Sequence, residues 1–226
     1  MEPSFALVGL IVFFAFFTQA ATGFGAMVIA MTLSALLYPV DLLLTWFVPL
    51  VVLLSVYLLA RHHGHVDWRL FIRRILPGMG AGMLVGQSLF YSLDTAALKL
   101  GLGIVVVALA ARELLRRQAP VTPPPFLPWT VSAGVVHGIF ATGGPLLVYG
   151  LNGQGLEKAR FRSTLALVWL VMALILMSSL LVSGRLGASA LPQIGQLALI
   201  LPFSILLGEW AHRYINEVRF KQLINV

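Results

Sequence analysis

Ala21-Thr22-Gly23-Phe24-Gly25 and Ala141-Thr142-Gly143-Gly144-Pro145 are the two stretches whose reading decides the fold. They lie about 120 positions apart, and each interrupts a strongly apolar run. Glycine and proline inside a helix break its hydrogen-bond ladder. Hydrocarbon tolerates such a break only where the freed backbone is buried in protein or lines a wet cavity. A pair of breaks at corresponding positions of two halves is the sequence pointer to a solute-binding site in a membrane carrier.

Composition agrees. The 226 residues are 59% hydrophobic and only 10% charged, where soluble domains carry about 25% charged residues. The expectation is a polytopic membrane protein partnered by the lipid bilayer. A formal net charge of +7 raises the question of nucleic acid. The basic residues, however, cluster in short segments between apolar runs, where positive-inside topology puts them, so no nucleic-acid partner is expected. There are no cysteines, which excludes disulfides, thiolate metal sites and cysteine nucleophiles. Met1-Glu2-Pro3-Ser4 lacks the basic region of a signal peptide, so the first apolar run is expected to be retained as a membrane segment.

A membrane-spanning helix needs about 20 mostly apolar residues. Apolar segments fall at residues 5–21, 24–38, 42–60, 75–93 and 96–111, then at 129–141, 145–151, 165–182 and 191–208. The expected division is a first repeat at 1–117, a Pro-rich cytoplasmic linker at 118–128 and a second repeat at 129–226. Arg61, Arg69, Arg73 and Arg74 place the 61–74 loop inside, as Arg112, Arg116 and Arg117 do for the linker. Lys158, Arg160 and Arg162, and later Arg213, Arg219 and Lys221, read as inside too. The turns near Tyr38–Asp41, Tyr91–Thr95 and Ser183–Gly187 should face outward. At an offset near 120 every loop changes side. Leu76-Pro77 and Leu84-Val85-Gly86 find echoes in Leu201-Pro202 and Leu206-Leu207-Gly208. The predicted fold class is therefore an all-α polytopic membrane protein of two inverted-topology repeats, with broken helices meeting near the bilayer midplane. The segment at 96–111 has its counterpart starting near Phe220, and the expectation is a further helix that this sequence does not contain.

The residues resemble the TauE/SafE sulfite exporter family of anion permeases. The resemblance is carried by Thr18-Gln19-Ala20-Ala21-Thr22-Gly23-Phe24-Gly25 and by His65-Val66-Asp67-Trp68-Arg69. It continues in His137-Gly138-Ile139-Phe140-Ala141-Thr142-Gly143-Gly144-Pro145 and Phe161-Arg162-Ser163-Thr164, with segment order and spacing alike over essentially the whole chain. The sequence departs from the commoner pattern in reading Gly-Phe-Gly-Ala-Met where many members carry a run of glycines. The resemblance implies export of sulfite, sulfonates such as sulfoacetate or related small organic anions, and a multi-pass place in a bacterial cytoplasmic membrane. It also suggests the final helix noted above.

A helix restarting after a break presents unpaired N–H groups and the positive end of its dipole. Two such ends near the midplane make an anion cradle without placing a lysine or arginine in lipid. The substrate-binding candidates are Gln19, Thr22, Gly23, Phe24, Gly25, His137, Thr142, Gly143, Gly144 and Pro145. Thr22 and Thr142 would add hydroxyl donors, and the glycines would let an oxyanion approach the backbone. Pro145 suits a first helical turn. The plainer alternative is that Thr and Gly only permit close helix packing. His137 is placed to bind the anion or carry a proton, or else to pack as a neutral histidine. Gln19 is placed to donate to substrate or to a neighbouring helix.

Arg160 and Arg162 are candidates for a cytoplasmic entry that draws anions in, or they only enforce topology. His62-His63-Gly64-His65 has metal-like composition in a basic loop and reads as solvated or facing headgroups; no metal and no cofactor are expected. Trp46, Trp68, Trp129 and Trp210 read as interfacial anchors. All eight carboxylates fall in loops or at segment ends, which argues against metal-cation transport. Glu209 is expected to pair with His212 or Arg213 on its next turn.

An intramembrane enzyme would need a nucleophile with its base, or a metal set, converging in the bilayer. Ser34, Ser55, Ser178 and Ser179 lack a Gly-x-Ser-x-Gly context, and His137 has no acidic neighbour in sequence. The leading expectation is a secondary transporter for a small anion. An anion channel with the same site left open is the alternative, and a purely structural subunit fits paired helix breaks poorly.

Overall fold

Prolines and glycines set the helix ends along this chain. The computed structural model describes residues 3–115, 125–151 and 154–215, all helix and connection without a strand. Most of the expected linker, and the segment from Glu217 through Phe220, lie outside the described residues. The order is α1 (Pro3–Thr22), α2 (Ala26–Ser34), α3 (Val40–His62) and α4 (Trp68–Leu70). A π-helical stretch, Phe71–Ile75, carries α4 into α5 (Leu76–Ser92), followed by α6 (Thr95–Leu115). Then come α7 (Phe126–Phe140), α8 (Gly144–Leu151), α9 (Lys158–Val182), α10 (Leu191–Ala198) and α11 (Leu201–Tyr214).

Four helical stretches are individually long and apolar enough to cross a bilayer: Pro3–Thr22, Val40–His65, Thr95–Arg112 and Lys158–Val182. α10 and α11 pass the same test only when taken together, as a pair bent by 42°. The expected single segment at 191–208 is thus broken, because Pro202 in the first turn of α11 has no N–H to continue the ladder. Two other boundaries differ from the apolar reading. α9 begins at Lys158, not at Leu165, since the helix runs on past hydrocarbon into its charged end. α7 begins at Phe126, three residues before the expected start, with Pro128 accommodated in its first turn.

The two interrupted runs are hairpins, not kinked spans. α1 and α2 pack together, and Ser4 Oγ meets the Tyr38 hydroxyl at 2.9 Å, so the chain returns to the side it came from. α7 and α8 do the same, bringing the Trp129 and Tyr149 rings to 4.5 Å. Each hairpin is clasped by a helix from the other half: α7 lies on α5, and α1 on α11. The α5–α7 contact has no room for side chains. A Cβ on Gly82 would sit 2.1 Å from the Val131 carbonyl oxygen, and one on Gly134 2.2 Å from that of Met79. One on Gly86 would lie 2.2 Å from the Val135 oxygen, and one on Gly208 2.5 Å from Ala20 Cβ. Small residues allow this approach in a medium that gives helices no hydrophobic reason to associate. The echoing triplets Leu84-Val85-Gly86 and Leu206-Leu207-Gly208 therefore mark equivalent contacts. The long helices α3 and α9 pack on each other between the hairpins.

The connections expected on one side meet one another. Arg185 and Asp41 are 3.6 Å apart, and the Tyr91 hydroxyl is 2.7 Å from Ser179 Oγ. At the opposite end Arg160 faces Asp67 at 3.9 Å, and Arg74 donates to Gln154 at 2.9 Å. α6 turns Leu100, Ile104 and Val107 outward, as a lipid-facing helix does. Trp68 and Trp210 are exposed in keeping with anchors, but Trp46 is buried, edge-on to Phe5 and Tyr38, and is a packing residue.

Candidate functional site

Both hairpins turn by the same hydrogen bonds. At the first apex the Gly23 N–H donates to the Gln19 carbonyl at 2.8 Å, and Ile29 N–H to Gly25 at 3.1 Å. At the second, Ala141 N–H donates to His137 at 2.8 Å, and Leu147 N–H to Gly143 at 3.1 Å. The structural register is therefore 118, which pairs Gln19 with His137 and Gly25 with Gly143. The two Ala-Thr-Gly words are shifted by two residues from it, so Thr22 and Thr142 are not equivalent. Gly23 and Gly25 adopt φ of 95° and 104°, open to glycine alone without cost. Ala141 takes φ 57°, the one non-glycine in that region among the described residues. A left-handed alanine costs about 1 kcal/mol or somewhat more, a strain the surrounding hairpin has to hold.

α2 and α8 start at these apices, and residues of both starts line a common cavity. Gly25, Met27 and Val28 line it from the first hairpin, Ala141, Thr142 and Gly144 from the second. Val51 and Trp169 close it from α3 and α9. Each is the twelfth residue of its helix, counting from Val40 and Lys158, so the cavity sits halfway along both long spans. They too are 118 apart. The free room is about 20 Å³, enough for roughly one water molecule.

Polar groups without partners point here. Gln19, His137 and Thr142 are each 3% exposed and line the cavity. Gln19 Nε2, both His137 ring nitrogens and Thr142 Oγ1 have no hydrogen-bond partner among the described residues. Buried polar groups in native structures are nearly always paired, so four such atoms in one place make this cavity the candidate site. A carboxamide N–H₂, a hydroxyl and an imidazole N–H all donate, and no carboxylate lines the cavity among the described residues. The His137 ring stacks on Trp169 at 5.8 Å between centroids and 16° between planes. Trp169 Nε1 donates to the Gly23 carbonyl at 2.8 Å, and its ring abuts Gly144, so this one indole joins both apices.

Of the sequence-predicted residues, Gln19, Gly25, His137, Thr142 and Gly144 come together at the cavity. Thr22 does not: its hydroxyl donates to the Thr18 carbonyl at 2.8 Å and to that of Phe24 at 3.0 Å, tying off the first apex. Gly23 gives its carbonyl to Trp169, and Phe24 packs half-buried beside the core. Gly143 lies flush against the Ala133 carbonyl, where a Cβ would come to 2.1 Å, and Pro145 is the second residue of α8. Trp169 escaped the sequence reading. Its signal was position: a tryptophan in mid-span, where interfacial anchoring has no use for one.

Arg160 is exposed and paired with Asp67, whereas Arg162 is 3% exposed. Glu209 does not pair with His212 or Arg213 as expected. Its carboxylate takes the Arg162 guanidinium and faces His62 Nε2 at 3.6 Å, while His212 turns its Nδ1 to the Ala21 carbonyl at 2.7 Å. Local spacing misled here because the true partners come from α9 and α3. Asp67 also donates its backbone N–H to Thr164 at 2.9 Å, which joins the His65–Arg69 and Phe161–Thr164 stretches. A wider cleft of about 450 Å³ lies among Asp67, Arg69, Arg73 and Arg74 at the basic end and includes no residue of either apex. Among the described residues no three acidic or histidine side chains group as metal ligands.

Comparison with known proteins bears on this arrangement. The family model of the sulfite exporter TauE/SafE matches residues 8–226. The probable inner membrane transporter protein TsaS of Comamonas testosteroni is 32% identical over 187 residues, covering 78% of this chain and 77% of that protein. No solved structure matches. A helical, multi-pass chain matched from Val8 to its last residue belongs to the TauE/SafE family: it is a membrane transporter, not an enzyme.

Proposed function

We propose that the protein is a secondary transporter that exports small sulfur-containing or organic anions, such as sulfite and sulfonates including sulfoacetate, across the cytoplasmic membrane. The observation that carries this is the convergence of two helix N-termini with the unpaired donors of Gln19, His137 and Thr142 on one buried, mid-span cavity. A tetrahedral or planar oxyanion can accept from all of them, and charge-assisted hydrogen bonds are about twice as strong as neutral ones. The register of 118 shared by the two hairpin apices, and the reciprocal clasping of the hairpins, support two inverted-topology repeats divided at the linker. A cavity with room for about one water argues for an occluded carrier over an open channel. Export runs downhill on the membrane potential, which supplies about 2.3 kcal/mol per charge per 100 mV. Proton coupling through His137 is a separable part of the reading: His137→Gln should flatten the pH dependence of transport, and an unchanged profile discards the coupling alone.

The test is flux of sulfite, sulfoacetate, sulfate and acetate in proteoliposomes. Saturable flux of sulfite or a sulfonate is expected, with Thr142→Val reducing kcat/KM roughly 10- to 100-fold, the worth of one hydrogen bond to a charged group. Thr22→Val should act mainly through stability, since its hydroxyl is already engaged. Absence of flux for every anion in folded, reconstituted protein would overturn the proposal. Normal flux in Thr142→Val would move the site elsewhere.

A further inference from the structure

Arg162 is a guanidinium buried among apolar neighbours with one carboxylate, Glu209, to satisfy it. Its Nε has no partner among the described residues. The groups facing Glu209 come from three helices: Arg162 of α9, His62 at the end of α3, and His212 of its own α11. Arg162 also presses on the first apex, where a Cβ on Gly23 would lie 3.2 Å from its Cγ and 3.3 Å from its Cα. Trp169 stands seven residues further along α9 on the same face, about 10 Å away at 1.5 Å per residue. It holds the Gly23 carbonyl from the cavity side. Gly23 is thus gripped between the Arg162 pair below and the cavity above.

Building on the anion-transport reading, we infer that Arg162 is a second anion subsite, one step to the basic side of the cavity. Glu209 occupies it in this conformation as an internal stand-in, and the travelling anion displaces that carboxylate. Removing one partner of a buried ion pair leaves an uncompensated charge, whereas exchanging one oxyanion for another leaves the guanidinium paired throughout. The displaced carboxylate keeps a polar neighbour, because His62 Nε2 faces it at 3.6 Å. The free Nε gives Arg162 a further donor for an incoming sulfonate or sulfite, which presents three oxygens where a carboxylate presents two.

Proteoliposome flux of sulfite supplied at the basic face tests this. Glu209→Gln removes the competing charge and should lower KM roughly three- to tenfold, and Arg162→Gln should raise it. As a second measurement on the wild-type protein, glutamate labelled with ¹³C at the side-chain carboxyl gives an infrared difference spectrum on adding sulfite. One labelled carboxylate band should shift, and the shift should vanish in Glu209→Gln. If that variant fails to fold, the band is assigned instead by its persistence when Glu2, Glu113, Glu157 and Glu217 are replaced by glutamine. Normal wild-type flux with an unchanged KM in Glu209→Gln, or an unmoved band, overturns the subsite and leaves the transporter reading intact. No wild-type sulfite flux at all overturns both.

Discussion

Trp169 shows how much one side chain decides at the scale of the residue. Its N–H satisfies a carbonyl freed by the first break, its face stacks on His137, and its edge abuts Gly144 of the second break. Trp169→Phe keeps a ring and deletes the donor, leaving the buried Gly23 carbonyl unpaired. A loss of about 1–3 kcal/mol in stability is expected, measured as a lower melting temperature in detergent, together with weaker anion binding. Gln19, Gly25, His137, Thr142 and Gly144, which meet at the cavity, stand out in the sequence because helix breakers and polar groups are conspicuous in an apolar run. Trp169 and Glu209 do not. Their partners lie 146 and 47 residues away in the chain, and no local pattern encodes such distances. Thr22 was misread for a related reason: the repeated Ala-Thr-Gly word suggested an equivalence that the hydrogen-bond register shifts by two residues.

At the scale of the element, each hairpin exists because another helix lets it come close. Gly82, Gly86 and Gly134 are packed against carbonyl oxygens, not side chains, so added atoms have nowhere to go. Gly82→Ala should destabilise by roughly 1–3 kcal/mol as α5 and α7 are forced apart. Gly80→Ala, on the open face of the same helix with nothing within 4 Å of the added carbon, should leave the melting temperature unchanged or raise it. Thermal unfolding of the two variants side by side separates contact from propensity. The positions of helices and breaks were readable from hydropathy and from Gly and Pro, but the return of each hairpin was not. A stretch as short as α2 or α8 has no length signal to say whether it crosses or turns back. The bend between α10 and α11 was missed although Pro202 announced it, because the apolar run continues through it.

For the whole molecule, charge placement predicts which way it sits. The basic connections gather at one end with Asp67, and the Asp41, Tyr91 and Arg185 turns at the other. A chain with no native cysteine makes this directly measurable. Gly64→Cys should react with an impermeant maleimide only after cells are opened, and Gly187→Cys should react in intact cells; reversed labelling would invert the topology. Lys and Arg counts predict the sidedness of the loops, since that rule acts on the chain as it is inserted, and the labelling checks it. The reciprocal clasp has a further bearing, on biogenesis. Ala20 in the first hairpin waits for Gly208, which leaves the ribosome about 190 residues later, roughly 10–40 s at ordinary synthesis rates. Until then the first hairpin stands in the bilayer with its freed backbone uncovered, a natural client for whatever escorts unfinished membrane proteins. Neither half made alone should become protease-resistant, whereas the two halves made together as separate polypeptides should.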